Sequence, residues 1–513
     1  MFASKVMHNH PSISTTRSFT QFYIWGGCLI FSFLIQLIAN YDSPLHTYFL
    51  KVDSSYFFMG GKAMINGYLP YTDFSDSKGP LVWLFYGLGY LISPRSYFGV
   101  YVLYSILFSF IFYLAYRTAV CIFNQQKKEL RSLMSFASAI LFAIPLFCYN
   151  HREMRCEDLC QLPLLYCIYI LVISIKKPHL HHAFKRGILI GISLAVIFMI
   201  KFNVMAYSLP IPLSIIAIIW KREQSFKTAL KFIEGMLLGF LIICSPIFMV
   251  FYLCDGLDAF LFEYFVHTSL TMSKTLQQFL IRYFIIDIPS SFQFSRLIGF
   301  IALWCPLIVL HKYKRAKYLP VLCALFIFFA CTYNGGAAIH YHSTYVSWFI
   351  FACCAIVWGI FRLCHYKRIL SVSMATTLTI AFVSAYSLVY HKNWIWLDNS
   401  REYLKTERKL SHLHNPTIVN WSYVEYNVGL SANSLPGCRY WAMQSNSPLT
   451  EPEQRATVLK RIPDIVTILE GDTFGEAVLD SLNYAHLSTV DDVFRRKYSI
   501  YVKSELLPIV QQP

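Results

Sequence analysis

Long apolar runs recur along the chain from residue 21 to residue 390, separated by short polar connections. A helix needs roughly 20 apolar residues to cross a hydrocarbon core of about 30 Å. Runs of about that length lie at residues 21–40, 97–120, 132–148, 159–175, 187–202, 205–220, 229–253, 296–311, 317–333, 343–363 and 369–390. The pattern predicts an α-helical polytopic membrane protein with about eleven transmembrane helices. A membrane barrel would show weaker alternation in segments of about ten residues.

One further apolar run, PLVWLFYGLGYLIS at residues 80–93, is shorter than a perpendicular span. If it crossed the membrane, the basic connection QQKKELR and every later basic connection would lie on the side opposite the basic N-terminus. If it dips back, all of them lie on the N-terminal side, as the positive-inside rule favours. We therefore expect a juxtamembrane helix here, on the outer face.

The basic connections then share one face of the membrane. They lie at residues 125–131, 176–186, 221–227, 311–317 and 362–368. Since lysine and arginine beside short loops set orientation, this face and the N-terminus are predicted to be cytoplasmic. The opposite, extracytoplasmic face receives residues 41–79, 149–159, 254–295 and 332–342 and everything after residue 390.

Two connections need a special interpretation. Residues 187–220 are too many for one crossing, so we predict two short helices with Lys201 and Asn203 at an outward turn. Residues 254–295 mix charges with apolar residues at helical spacing, which indicates an interfacial helix on the outer surface.

The last part of the chain has a different pattern. Strand-like pieces (TIVNWSYV, DIVTILE, YSIYV) are interspersed with helix-like ones (EPEQRATVLKRI, VDDVFRRKY). We expect a transmembrane domain at residues 1–390 and a small extracytoplasmic α/β domain at residues 391–513.

The composition argues against a nucleic-acid partner and against a disulfide framework. The chain is 56% hydrophobic and 14% charged, with a net charge of +16, but the basic residues sit in clusters between spans. Membrane orientation already explains such clusters, so no nucleic-acid partner is predicted. Most of the fifteen cysteines fall inside apolar runs, where cysteine acts as a small hydrophobic residue, and no disulfide framework follows.

Polar residues gather on the predicted outer face, each group beside the end of a span. The candidates are Asp53, Asp73, Asp76, Lys78, Arg155, Glu157, Asp158, Lys201, His340 and Tyr341. Acidic side chains beside a bilayer are costly unless water, a partner or a reaction retains them. Gly67, Pro70, Gly79 and Pro80 are suited to hold the loop that carries the first acids.

Such a set of residues suits sugar transfer from a lipid-linked donor. A polyprenyl phosphate is a good leaving group, so the reaction chiefly needs a carboxylate that takes the acceptor's proton and cations that hold the phosphate. The polyprenyl chain of such a donor lies in the membrane lipid, which is therefore a predicted partner. The sequence does not specify the sugar or the acceptor.

The order DSSYFFMGGKAMINGYLPYTDFSDSKGP, CEDLCQLPLLY and IHYHSTYVSWF resembles the bacterial membrane glycosyltransferases of the GT-C superfamily, related to protein mannosyltransferases and the lipid A aminoarabinose transferase. The resemblance implies a GT-C-like fold in a bacterial inner membrane, a polyprenyl-phosphate-linked sugar as donor, and Asp53 as general base. It also implies that Glu157, Asp158, His340 and Tyr341 bind substrate.

Each candidate also has a structural interpretation. Asp53 is placed to cap a helix, and Asp73 and Asp76 to brace their loop through Lys78 or Tyr71. Glu157 and Asp158 favour the positive end of a helix, and only one of them is expected to face a cavity, since neighbouring residues point about 100° apart. Lysines and arginines near span ends commonly extend to the interface.

Three other functions stay open at this stage: a transporter or flippase of a polyprenyl-linked glycan, a polymerase or ligase of surface polysaccharide, and a membrane scaffold. Cofactor dependence is open as well. The carboxylates are compatible with a hydrated Mg²⁺ or Mn²⁺, but the sequence contains no dedicated metal motif.

Overall fold

The computed structural model describes residues 12–40, 43–44, 52–148, 155–176, 182–223, 225–267, 299–335, 339–365, 367–390, 400–421, 430, 432–442, 449–491 and 497–511. Helices dominate up to residue 390, and a small sheet with flanking helices follows.

The first half of the chain contains the helices that surround the polar residues. They are α1 (Ser12–Ala39), α2 (Val52–Ile65), α3 (Pro80–Ile92), α4 (Phe98–Ile122), α5 (Lys128–Leu141), α6 (Ala143–Cys148), α7 (Cys156–Leu159), α8 (Gln161–Lys176), α9 (Ala183–Ile200), α10 (Phe202–Ser208), α11 (Pro210–Glu223) and α12 (Phe226–Leu253).

Shorter elements alternate with longer helices in the next part of the chain. They are α13 (Leu257–Phe260), a π-helix (Leu261–His267), α14 (Cys305–Val309), a 3-10 helix (Lys314–Lys317), α15 (Tyr318–Gly335), a second 3-10 helix (Ile339–Trp348), α16 (Phe349–Leu363) and α17 (Arg368–Tyr390).

Eight helical segments among the described residues are long and apolar enough to cross a membrane. They coincide with eight of the predicted spans. The other three predicted spans, near residues 296–311, 317–333 and 369–390, are apolar helices described over shorter lengths, Gly299–Val309, Tyr318–Cys331 and Arg368–Phe382. The helical polytopic architecture is confirmed, whereas the number of eleven crossings remains a prediction.

The predicted break between residues 187 and 220 is found at Lys201, whereas Asn203, expected at the same turn, lies inside α10. Helix α9 ends at Ile200, Lys201 adopts an extended backbone (φ −158°, ψ 98°), and α10 begins at Phe202. The run at residues 80–93 forms α3, which starts with Pro80 at a helical position that does not require an N–H group.

Helices α9 and α12 pack closely against each other at four glycines. A Cβ atom at Gly187 or Gly191 would overlap a backbone carbonyl of α12, and one at Gly235 or Gly239 would overlap a carbonyl of α9. The small-xxx-small spacing on both helices allows this close approach, as is common between membrane helices. Most of the remaining α12 surface is exposed: in its most apolar window only 17% of residues are buried.

The C-terminal region is α/β, as predicted. Its helices are α18 (Ser400–Leu410), α19 (Thr450–Leu459), α20 (Thr473–Ser481) and α21 (Leu507–Val510), with a 3-10 turn at Ser504–Leu506. Its strands are β1 (Thr417–Asn420), β2 (Leu435–Pro436), β3 (Ile465–Leu469), β4 (Tyr484–Asp491) and β5 (Lys497–Lys503). They form one mixed sheet in the order β2-β1-β3-β5-β4.

The segment VDDVFRRKY, predicted to be helical, begins and ends in strands instead: Val490 of β4 pairs with Tyr498 of β5. Both of these side chains are buried, and the pairing between neighbouring strands outweighs the helix-like charge pattern at the two ends of the segment; residues 492–496 lie outside the described residues. The interfacial helix predicted for residues 254–295 is described only up to His267, and its remainder lies outside the described residues.

Candidate active site

Asp53 lies in the first turn of α2, which begins at Val52, so it is not the residue that precedes the helix. A carboxylate in this turn interacts favourably with the positive end of the helix. Its Oδ2 lies 3.5 Å from Nε of Arg155, and 31% of the Asp53 side chain is exposed. The structure therefore pairs the predicted base with one of the predicted cations and leaves it accessible.

The loop between α2 and α3 is held at several points. The Tyr56 hydroxyl donates to the Ser75 carbonyl at 2.7 Å, and the Tyr71 hydroxyl donates to the Lys78 carbonyl at 2.5 Å. The Gly79 N–H donates to the Ile200 carbonyl at 2.9 Å. A Cβ at Gly79 would overlap the Met199 carbonyl, so only glycine fits here.

Within this loop the two aspartates have different roles. Asp73 is exposed and its Oδ2 accepts a hydrogen bond of 2.7 Å from the Leu69 N–H, so it braces its own turn. Asp76 is buried; its Oδ1 accepts from the Ser77 N–H at 2.5 Å, and its Oδ2 lies 3.6 Å from Nζ of Lys78. The structure thus places Asp76, and not Asp73, against a cation.

The ammonium of Lys78 stays charged in this setting. Burial is the largest single influence on it and favours the neutral amine. The negative charge of Asp76 is the largest influence in the opposite direction, smaller contributions come from Cys156 and Asp53, and together they raise the pKa of Lys78 above its ordinary value. Lys78 is therefore a permanent cation at neutral pH.

Glu157 and Asp158 separate as their helical spacing predicts. The buried Glu157 forms an ion pair with Lys201, at the break between α9 and α10. Asp158 accepts from the Arg155 N–H at 3.2 Å, and its Oδ2 lies 2.9 Å from the Tyr104 hydroxyl. Asp158 is thus a helix-capping residue, and Glu157 is the acid associated with the cations.

Short links connect the three ion pairs into one cluster. Lys78 precedes Gly79, which is bonded to Ile200, and Ile200 precedes Lys201. Lys201 pairs with Glu157 on the short helix that follows Arg155, and Arg155 pairs with Asp53. The charges of Asp53 and Lys201 both act on Lys78. We call Asp53, Asp76, Lys78, Arg155, Glu157 and Lys201 the charged cluster.

His340 and Tyr341 lie on the 3-10 helix Ile339–Trp348. Their side chains are not among those that the structure describes. That helix packs beside the charged cluster through Gln161, one turn after Glu157. Gln161 Nε2 donates to the Ser343 carbonyl at 2.7 Å, and the Ser347 hydroxyl donates to its Oε1 at 2.6 Å. The sequence offers one signal for Gln161, an amide at the start of an apolar span.

The C-terminal region contacts the first loop, which the sequence pattern does not predict. The Ser75 N–H donates to the Arg439 carbonyl at 2.9 Å, and the rings of Tyr56 and Trp441 stack with centroids 5.1 Å apart. Tyr56 follows Asp53 by three residues on α2. The C-terminal region therefore supports the element that carries the predicted base.

A second contact of this region reaches the π-helix. Buried Glu263 receives hydrogen bonds from Arg439 at 2.7 Å and from the Tyr440 hydroxyl at 2.6 Å. The next residue, Tyr264, donates to the Phe198 carbonyl of α9. The segment Arg439–Trp441 thus joins α2, the first loop and the π-helix on one face of the molecule.

The cluster does not fit a divalent cation. Among the side chains that the structure describes, no three histidine, cysteine, aspartate or glutamate residues come together as ligands. Asp53, Asp76 and Glu157 each lie against a lysine or arginine. A metal ion would have to compete with these cations for every carboxylate of the charged cluster.

No protein-family model and no curated protein matches the chain. Several solved structures match the chain. A crystal structure of ArnT from Cupriavidus metallidurans bound to undecaprenyl phosphate is similar with a TM-score of 0.59 and 11% identity, covering 96% of this chain and 99% of that one. The same protein in the apo state gives a TM-score of 0.56 and 11% identity, with coverage of 97% and 100%.

An oligosaccharyltransferase from Archaeoglobus fulgidus in the apo form also matches, at a TM-score of 0.47 and 11% identity, over 91% of this chain and 73% of that one. The chain matches the ArnT structures over nearly its whole length. The fold expected from the sequence is therefore confirmed: this chain has the fold of the ArnT structures.

Proposed function

We propose that this protein transfers a sugar from a polyprenyl-phosphate-linked donor to an acceptor at the extracytoplasmic face, with Asp53 as general base. The observation that carries the proposal is the exposure of Asp53. Its side chain is 31% exposed, whereas those of Asp76 and Glu157 are 1% and 3% exposed. Asp53 is the carboxylate of the charged cluster that an acceptor can reach.

The chemistry required of Asp53 is limited. It removes the proton of the acceptor's nucleophilic group as that group attacks the anomeric carbon. The bond between the anomeric carbon and the phosphate oxygen breaks, and the leaving phosphate keeps the bonding electron pair. No acid is needed for this oxygen, because a phosphate ester leaves as a stabilised anion.

Lys78, Arg155 and Lys201 are the groups proposed to hold the phosphate. Each lies against a carboxylate of the charged cluster. A phosphate that engages Arg155 competes with Asp53 for its guanidinium, which lies 3.5 Å from the carboxylate. Donor binding and release of the Asp53 carboxylate toward the acceptor are thereby coupled at one residue.

The membrane setting agrees with a lipid-linked donor. The charged cluster lies where α4, α8 and α9 begin or end, among helices that are apolar enough to cross a bilayer. The ArnT structure with the same fold was determined with undecaprenyl phosphate bound, a ligand of the proposed class. The sugar, hexose or pentose, and the acceptor are left undefined.

The decisive experiment incubates purified protein with radiolabelled polyprenyl-phosphate sugars and a panel of lipid and glycan acceptors. We expect label to leave the polyprenyl lipid for an acceptor. Movement of intact labelled lipid between leaflets of a vesicle, with no transfer, would reject the enzyme in favour of a flippase.

The matched variants are Asp53→Asn and Asp73→Asn. Both remove one carboxylate from the same outer segment, but only Asp53 lies beside Arg155. We expect transfer to fall at least about a hundredfold in Asp53→Asn, the lower range for removing a general base, with Asp73→Asn nearly unchanged. A fully active and folded Asp53→Asn protein would exclude Asp53 as the base.

A further inference from the structure

A cavity of about 240 Å³ lies at the end of the helix bundle away from the charged cluster. Helix α4 connects the two sites: Tyr104 contacts Asp158 near one end, and Ile122 lines the cavity at the other. A helical rise of about 1.5 Å per residue separates them by about 27 Å, close to the thickness of a hydrocarbon core. The cavity is therefore a different site on the opposite face.

The cavity lining is basic. Lys176, Lys312, Arg362 and His311 line it, and none of the described residues around it is acidic. Such an arrangement differs from the charged cluster, where each cation has a carboxylate. Unbalanced positive charge in a concave site attracts an anion.

One of these cations has a structural role. Nζ of Lys176 donates to the carbonyls of Cys121 and Ile122, both at 2.6 Å, and to Oδ1 of Asn124 at 3.1 Å. These acceptors use its three protons and satisfy carbonyls at the C-terminal end of α4. The charge of Lys176 remains in the wall of the cavity, but its donors are committed.

Two other cations retain donors for a ligand. The guanidinium of Arg362 stacks on Trp358, 3.9 Å from the ring centroid, and makes no hydrogen bond or ion pair with the described residues. The ammonium of Lys312 donates to the neutral Oε1 of Gln125. A fork of guanidinium N–H groups and an ammonium are the donors that proteins use for phosphate.

The surroundings of the cavity indicate a lipid. Ile308, in its wall, is 51% exposed, and Leu363, the residue after Arg362, is 78% exposed. Exposed apolar side chains at the end of a membrane helix face acyl chains. The volume is also below the roughly 300–1,000 Å³ of sites that enclose drug-sized soluble ligands, so it suits a headgroup.

We propose that this cavity binds the phosphate group of an anionic phospholipid, held by Arg362 and Lys312, with the acyl chains along the apolar rim at Ile308 and Leu363. The positive-inside prediction assigns the site to the cytoplasmic leaflet. The proposal does not depend on the glycosyltransferase reaction.

The test uses the purified full-length protein in detergent doped with equal amounts of phosphatidylglycerol and phosphatidylcholine, and counts bound lipids by native mass spectrometry. The double variant Lys312→Gln/Arg362→Gln is compared with Lys127→Gln/Lys128→Gln, two exposed lysines outside the cavity lining. Each basic residue contributes roughly a fivefold preference for an anionic lipid, so the cavity variant should lose about 30-fold in phosphatidylglycerol retention. The control should retain it.

Three outcomes would overturn the proposal. These are unchanged retention in the cavity variant, an equal loss in both double variants, and displacement of the lipid by inorganic phosphate at low millimolar concentration. The variant Lys312→Arg/Arg362→Lys keeps both charges and should retain the lipid, which separates loss of the site from loss of folding.

Discussion

Cations gather at both ends of the helix bundle, but only those at one end are paired with carboxylates. At the end with Asp53, the cations Lys78, Arg155 and Lys201 each lie against a carboxylate. At the other end, the cavity beside Arg362 has no acid among its described lining residues. The comparison shows that cations near a membrane differ in their partners: those at the first end are paired with carboxylates, whereas those at the second leave positive charge unbalanced among the described residues.

The largest effect is expected from breaking a buried pair. In Glu157→Gln, Lys201 loses its buried carboxylate, and removing one partner of such a pair typically costs about 3–5 kcal/mol of the free energy of unfolding. Thermal unfolding in detergent measures this. Asp73→Asn is the matched control, because Asp73 is exposed. A loss below about 1 kcal/mol would mean that the pair is not buried as described.

Tyrosines at the two ends of α4 allow a second comparison. Tyr104→Phe removes the hydroxyl that lies 2.9 Å from Asp158 Oδ2, and hydrogen bonds to charged groups contribute about 1.5–3 kcal/mol. Tyr116→Phe removes a hydroxyl 3.1 Å from that of Ser132, a neutral contact that contributes about 0.5–1.5 kcal/mol. Chemical or thermal denaturation of both variants measures the difference. Equal losses would contradict the comparison.

Lys62, near the end of α2, is a buried lysine whose Nζ makes no hydrogen bond to the described residues. Burial lowers the pKa of Lys62 to about 7, and the nearby Glu407 only partly opposes this. Above pH 7 the folded state holds Lys62 neutral, while the unfolded state still binds the proton up to about pH 10.5. Stability should therefore rise with pH in this window.

The rise should reach at most about 1.4 kcal/mol per pH unit, measured as melting temperature at pH 7, 8 and 9. Lys62→Met should be more stable at pH 7 and should lack this rise. Lys185→Met, which changes an exposed lysine on α9, should keep it. Identical pH profiles for the native protein and Lys62→Met would show that Lys62 titrates normally.

The smallest effect is expected for an exposed pair on the same face as the cavity. Arg368 and Glu129 lie 2.6 Å apart, but their side chains are 54% and 75% exposed. Water and salt screen such a pair, so Arg368→Gln should change the unfolding free energy by less than about 1 kcal/mol. Glu129→Gln should do the same. A larger loss in either would show that pairing matters equally at both ends.

Much of the fold follows from local patterns. The lengths of the apolar runs and the basic connections between them predict the helices, and the excess of residues over what one crossing needs predicts the break at Lys201. Both are properties of short stretches of sequence. Asp53, Lys78 and Glu157 were also identifiable, because charges beside apolar runs are rare and need a reason.

The remaining features depend on contacts between distant segments. Nothing local to Tyr104, Trp441 or Glu263 indicates that they support the charged cluster. The ends of VDDVFRRKY have a different explanation: the charge pattern predicts a helix, but Val490 and Tyr498 are apolar or aromatic residues that pair across two consecutive strands. The separate roles of Asp73 and Asp76 likewise depend on the conformation of the loop. The sequence alone does not show which of two nearby aspartates faces Lys78.

The contact between Ser75 and Arg439 has a consequence for biosynthesis. The ribosome completes α2 and its loop long before it reaches the segment that stacks on Tyr56. Closing so large a separation is entropically slow, and it has to wait for the last helices to insert. The arrangement of α2 and its loop against the C-terminal region is thus among the last contacts to form, and a nascent chain stalled before Trp441 would lack the ring that stacks on Tyr56.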